Sequence, residues 1–491
     1  MRFLACCLAV WLMPFGSAAP AKPRPAITSI ELASPAPPRS LGASFMTASD
    51  GTLWLSWVEP GRNGLNTLRY STLDLAARKW RTARTIAAGT DIAANTMDFP
   101  QLVADTHGGI TALWTDGRGG AVYCESPDGL DWNQRQPWTG ESTAVEMFSL
   151  AALAGGRVLA VWLDGRGLTT GGTTTRLYAR IVGASGPDIL VDEAVCDCCP
   201  PSLTAFPDGS ALVAYRGRTS AEVRDIRVAR FRGRTWDEPQ PLGADNWRIE
   251  GCPVNGPRLT SDGGRVAATW FTGADQDSRV LATFSPDAGE HFLMPMRLEQ
   301  GKPAGQPDLR LLRDGAIVTT WLAQDGSFWL RRINPEFSAN EAIPLSTGAG
   351  RMKGSPRVAV VRDYAGGVTA AQLVAAFATD EANGGVRTLL ITVPEGELLV
   401  AENDCGCAPT PEQLEGFPIR GTIADSLPSP GSLRVKHDEL PGLLSASTRE
   451  FKVTPEVLAA AQPGRSFLGR IVRRDGDWWL FDLRLLATAA R

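Results

Sequence analysis

An aromatic residue returns at nearly constant intervals along most of this chain. The segments LWLSWVEPG, ITALWTDGRG, VLAVWLDGRG, ALVAYRGR, VAATWFTG, IVTTWLAQDG and LVAAFATD read as alternating strands. They carry Trp57, Trp114, Trp162, Tyr215, Trp270, Trp321 and Phe377. The intervals are 57, 48, 53, 55, 51 and 56 residues. Strands that alternate in polarity bury one face, and a unit of roughly fifty residues cannot cover its own sheet, so such units stack. A β-sandwich has no reason to keep this period. The pattern predicts an all-β, six- or seven-bladed β-propeller, seven by repeat count, over residues 22–403. The early segment AITSIEL is placed to supply the outer strand that closes the ring.

Composition bears on address and partners. The chain has 491 residues and a net charge of −4, with no long basic run, which argues against nucleic acid as a partner. Residues 1–21, MRFLACCLAVWLMPFGSAAPA, join a basic start, an apolar stretch and small residues, as a secretory signal peptide does. Cleavage fits after Ala18 or Ala21. No later segment is apolar enough to span a membrane. The expected location is secreted, periplasmic or extracellular, where disulfides persist.

Seven cysteines follow the leader: Cys124, Cys196, Cys198, Cys199, Cys252, Cys405 and Cys407. CDCCPPS opens the fourth unit and EGCPVNGP precedes the fifth. Two readings of Cys196, Cys198, Cys199 and Cys252 stand side by side. Cys252 forms a disulfide with one of the other three, or the thiolates hold Cu or Zn. An odd total leaves at least one sulfur unpaired, metal-bound or bonded elsewhere.

Two segments carry a turn signature. SPDAGEHF contains Ser285, Asp287, Gly289 and Phe292; SPDGLDW contains Ser126, Asp128, Gly129 and Trp132. Both resemble the Asp-box of the sialidase-like, BNR-repeat propellers. In that family the turn joins the third and fourth strands of a blade and is structural. Loops between strands two and three, and between blades, then share the opposite face. That face is expected to receive the four cysteines together with Asp116, Arg118, Asp164, Arg166, Arg216 and Arg218. The resemblance implies arginines that hold a substrate carboxylate by bidentate pairing. The family's tetrapeptide start, Phe or Tyr followed by Arg-Ile-Pro, is absent here, and no nucleophile, base or acid is assigned. Tyr215 is the one tyrosine at a loop-bearing strand end.

The pattern changes after residue 403. ENDCGCAPTPE, within 404–414, reads as a cysteine-containing linker. Residues 415–491 read as five short strands with one helical turn, a small OB-like β-barrel. The frame RGTI…LRVKHDELPG…PEVLAAAQPG resembles the periplasmic copper-efflux chaperone domain. That family binds Cu(I) through one His and two Met. His437 matches the His, whereas Ser447 and Arg449 occupy the Met positions, so no tight copper site is expected in this domain.

Together these readings describe a secreted binding or interaction protein with a Cys/Arg-lined face. Its expected partner is a periplasmic or extracellular protein, a glycan or a metal, with copper handling implied by the small domain. The alternative is an exo-sialidase-type glycoside hydrolase acting on acidic sugars.

Overall fold

The computed structural model describes residues 26–138, 144–169, 171–299, 301–334, 339, 341–346, 352–362, 370–379, 384–394, 417–424, 431–437, 447–474 and 477–485. The leader expected at 1–21 and the linker cysteines Cys405 and Cys407 lie outside these residues. Among the described residues, seven antiparallel sheets follow one another along the chain, six with four strands and the first with five.

The sheets form a ring. Their first strands are Leu41–Thr47, Gln101–Ala104, Val145–Ala152, Ser202–Ala205, Arg258–Asp262, Pro303–Leu311 and Met352–Arg362. Each touches the next in this order, and the last touches the first. The molecule is therefore a seven-bladed propeller with these strands innermost. The stretch around residues 354–400, whose regularity decides between six and seven blades, supplies a complete blade. Its outer strand is Thr28–Leu32 from the chain's start, paired with Val386–Pro394. This closure joins the two ends of the ring through one sheet.

The recurring aromatics sit on the second strands, and all seven are buried. Val, Leu and Ala alternate with them and pack between blades. Five of the aromatics also use a polar end. Trp114 Nε1 donates to Asp91 O at 2.7 Å, Trp162 Nε1 to Asp164 at 2.8 Å and Trp270 Nε1 to Asp245 at 2.8 Å. Trp57 and Tyr215 donate to Glu59 and Asp192 at 3.0 and 2.6 Å. A buried indole N–H needs an acceptor, so the repeat fixes both blade packing and the start of each neighbouring loop.

Both Asp-box segments join third and fourth strands. Ser126 Oγ accepts from the Gly129 N–H at 2.8 Å, and Asp128 from the Leu130 N–H at 2.8 Å. Ser285 and Asp287 repeat this with Gly289 and His291, at 2.8 and 2.9 Å. Trp132 and Phe292 pack against the neighbouring apolar clusters.

The C-terminal strands Phe417–Ile423, Ser432–His437, Ser447–Val453, Ser466–Arg474 and Asp477–Leu485 close a barrel in the order 1-2-3-5-4. The helix Pro455–Ala460 follows Thr454, whose side chain accepts from the Val457 N–H. His437 is buried in this barrel, with Nε2 3.1 Å from Ser447 Oγ.

Candidate functional site

Of the arginines named from the sequence, Arg118 and Arg218 lie between second and third strands, Arg166 opens a short helix there and Arg216 ends its second strand, and most are engaged within the protein. Arg166 is bidentate on Asp164, at 2.9 and 2.8 Å, and also pairs with Asp188 at 2.5 Å. Its guanidinium lies 4.0 Å from the Tyr178 ring centroid. Arg216 is buried and donates to the carbonyls of Asn255, Arg224 and Phe271 at 2.6–3.0 Å. Arg218 is bidentate on Glu222. Arg118 is exposed, and Asp116 accepts from the backbone N–H groups of Arg118 and Gly120, building the turn. Tyr215 is buried against Asp192; burial and that carboxylate push its pKa upward, away from nucleophilic use.

The cysteine loops meet. Both link consecutive blades, and Cys198 is disulfide-bonded to Cys252. The loops are so close that a Cβ on Gly256 would stand 2.1 Å from Pro200 O. Cys196 and Cys199 are free and buried. Their sulfurs are 3.1 Å apart, and Cys198 Sγ is 3.7 and 4.0 Å from them. Arg224 Nη1 approaches Cys196 Sγ at 3.4 Å. Hydrogen bonds from the Cys199 thiol, the Cys198 N–H and Arg224, with the Arg216 charge nearby, lower the Cys196 pKa to about 6. Burial, then the bond to Cys196, push Cys199 upward.

A second constellation lies on the propeller axis, and the sequence reading missed it. One position in each innermost strand faces the centre: Ser44, Gln101, Ser149, Ser202, Arg258, Asp308 and Arg357. In every blade it pairs with the residue just before the strand aromatic. All seven line one cavity of about 250 Å³, which Arg310 also borders. A smaller cavity of about 30 Å³ shares Gln101, Ser149, Arg258 and Arg357 with it. That cavity reaches Asp98, Met147, Pro200 and Pro201, so this end of the channel lies beside the cysteine loop.

Small polar residues at the ring position stitch blades together. Ser149 Oγ accepts from the Leu203 N–H at 3.0 Å, and Ser202 Oγ from the Leu259 N–H at 2.9 Å. Asp308 accepts from the Val358 N–H at 2.9 Å. Arg258 has no acceptor to offer, and the Leu309 N–H instead bonds its own Asp308 carboxylate at 3.0 Å. Arg258 and Arg357 thus depart from the stitching role and place two charges in the channel. Arg310 adds a third, paired to Asp308 at 3.0 Å. Arg357 lies over the Phe99 ring at 5.0 Å, and Arg258 Nε has no hydrogen-bond partner among the described residues. Burial lowers the Arg258 pKa to about 10, with Asp308 opposing and Arg310 adding to the shift. Burial and Arg258 press Arg357 down as well.

Three guanidiniums around one carboxylate leave a net positive channel walled by protein. Such a site favours an anion, because desolvated cations gain most from a bound counter-charge. Asp98, at the narrow end, accepts from Thr115 Oγ1 and the Met147 N–H at 2.8 and 2.9 Å. Burial nevertheless raises its pKa, and burial with Asp98 and Asp197 raises that of Glu146.

The chain folds as a β-propeller, and the solved structures similar to it include a lectin and glycan-acting enzymes. The BP39L lectin from Burkholderia pseudomallei is similar over 73% of this chain and 100% of its own, with 9% identity and a TM-score of 0.52. An α-L-arabinanase from Penicillium chrysogenum, solved with arabinobiose, has 14% identity and a TM-score of 0.43, over 76% of this chain and 100% of its own. A PL25 ulvan lyase has 12% identity and a TM-score of 0.46, over 73% and 95%. At these identities the likeness is one of fold. No family model and no curated protein matches the chain.

The signal that would have found the axial site was in the repeat. PQLVA, PSLTA, PRLTS, PDLRL and PRVAV align as Pro, ring residue, apolar residue. Reading the ring position across units gives Gln101, Ser202, Arg258, Asp308 and Arg357 directly.

Proposed function

We propose that this protein is an exported carbohydrate-binding propeller that takes an anionic glycan at the arginine end of its axial channel. The observation that carries the reading is the presence of Arg258 and Arg357 at ring positions where the other blades have Ser, Gln or Asp. A sugar carboxylate or sulfate is the anion class that a guanidinium fork pairs with best while hydroxyls meet Ser and Gln. The lectin likeness in fold supports a glycan over another anion. The Cys198–Cys252 disulfide favours an oxidising compartment, in line with the leader.

The test is calorimetric titration with glucuronate oligomers, sialyllactose and their neutral counterparts. Arg258→Met and Arg357→Met should each weaken acidic-glycan binding at least tenfold, and binding should fall with salt. Equal affinity for neutral and acidic sugars, or no effect of either variant, would overturn the proposal.

An exo-sialidase-type hydrolase is the second reading, favoured by one observation. Asp98 and Glu146 are carboxyls with raised pKa near the narrow end of the channel, as a general acid requires. Turnover of a fluorogenic sialoside, lost in Asp98→Asn, would select this reading over simple binding. Absence of turnover across several acidic sugars removes it.

A further inference from the structure

We propose that Cys196 and Cys199 form a binding site for a soft monovalent cation of the Cu(I) or Ag(I) class. This is independent of the glycan reading, because it rests on other residues.

The donor set selects the ion. Cys198 is already bonded to Cys252, so two thiols remain available for ligation in the three-sulfur cluster. Neither His nor carboxylate groups with Cys196 and Cys199 among the described residues; Asp197 falls with Cys198 and Cys252 instead. Zn²⁺ asks for about four donors, and Ca²⁺ or Mg²⁺ for six or more oxygens. Two thiolates suit a soft monovalent ion, which would part the sulfurs from their present 3.1 Å contact.

Position argues the same way. Cys196 and Cys199 are 0% and 1% exposed, so a protein disulfide partner has no approach to either sulfur. A desolvated ion is small enough to be enclosed. Cys196 Sγ already accepts a hydrogen bond from Arg224 Nη1. Such bonds hold thiolate ligands in place and soften their charge.

Charge completes the argument. A monovalent ion on two thiolates carries −1. Arg224 stands 3.4 Å from Cys196 Sγ. Arg216 is buried, holds the same loops through Asn255 O, and has only backbone carbonyls as acceptors among the described residues. Asp245 acts on Arg216 only at longer range, with no carboxylate in direct contact, and an anionic metal–dithiolate beside it supplies a nearer counter-charge. Binding releases the thiol protons to solvent and changes no oxidation state.

The test uses the full mature chain. Cu(I) is titrated anaerobically against a chromophoric chelator, after disulfide mapping by mass spectrometry. One Cu(I) should bind per chain, with an absorption fine structure of two sulfur neighbours. Affinity should fall at least 100-fold in Cys196→Ser and in Cys199→Ser, and stay unchanged in His437→Ala, which reports on the barrel. The sulfur signature is read on the unaltered chain, so it stands even where a variant misfolds. A Cys196–Cys199 disulfide in the protein as isolated would overturn the proposal. So would free thiols that leave Cu(I) on the chelator, or loss of binding only in His437→Ala.

Discussion

The Asp308 carboxylate accepts a hydrogen bond from the Val358 N–H at 2.9 Å, tying the innermost strands of the sixth and seventh blades. The same carboxylate serves its neighbour's N–H and the Arg310 guanidinium. Asp308→Ala leaves a buried donor unpaired and three arginines without their counter-charge. It should destabilise the propeller by about 3–5 kcal/mol, and Asp308→Asn by less. Burial alone would raise the Asp308 pKa, but the charges of Arg310, Arg357 and Arg258 and the Val358 N–H outweigh it and hold it low. Its contribution is therefore present at neutral pH and lost as pH falls through the lowered folded-state pKa. Urea unfolding across acid pH, in the parent and the Asn variant, measures this.

Arg166 distinguishes a ligand group from a scaffold group. It lies among Asp164 and Asp188, whose side chains are fully buried. Arg166→Ala leaves buried carboxylates underpaired and should cost roughly 3–5 kcal/mol. Unchanged stability with loss of glycan binding would instead make Arg166 a ligand residue.

Closure of the ring depends on Thr28–Leu32. Deleting residues 22–34 exposes the edge of Val386–Pro394 and should lower the thermal midpoint and promote aggregation. Glu31→Ala should do little, since its pair with Arg387 is half-exposed and such pairs contribute about 0–1 kcal/mol. Scanning calorimetry separates the strand from the ion pair.

Gly129 tests the Asp-box as a packing device. Its φ is +77°, and a Cβ there would stand 2.0 Å from Trp54 Cη2. Gly129→Ala should destabilise by about 1–3 kcal/mol without changing ligand affinity. A neutral result would mean that Trp54 can move aside.

Asp98 gives the channel a pH response. Burial raises its pKa, so it becomes neutral at a higher pH than an ordinary carboxyl. An anionic ligand at this end should bind more tightly as pH falls through that value, because the nearby negative charge is removed. Asp98→Asn should flatten the dependence, as read by titration from neutral pH downward.

Much of the architecture was legible in the sequence because it repeats. The aromatic period reports a blade, and the Asp-box reports the turn between its outer strands. The N-terminal strand was expected because a ring of blades needs closing, and the small barrel from its five short strands and its family resemblance. The cysteine loops were expected to be neighbours, since consecutive blades place them so, but which sulfur joins Cys252 depends on loop geometry. The arginines show the limit most clearly. Arg166, Arg216 and Arg218 stand at or just beyond second-strand ends, yet Asp188, Asn255 O and Glu222 occupy their guanidiniums, and those partners are set by the fold. Arg258, Asp308, Arg310 and Arg357 are separated by up to 99 positions in the chain and share one cavity. The sequence by itself determined the strand period and a count of six or seven blades. Only the closed ring decided that seven innermost-strand positions meet on one axis, because curvature and closure, not local propensity, bring distant strands to a common centre.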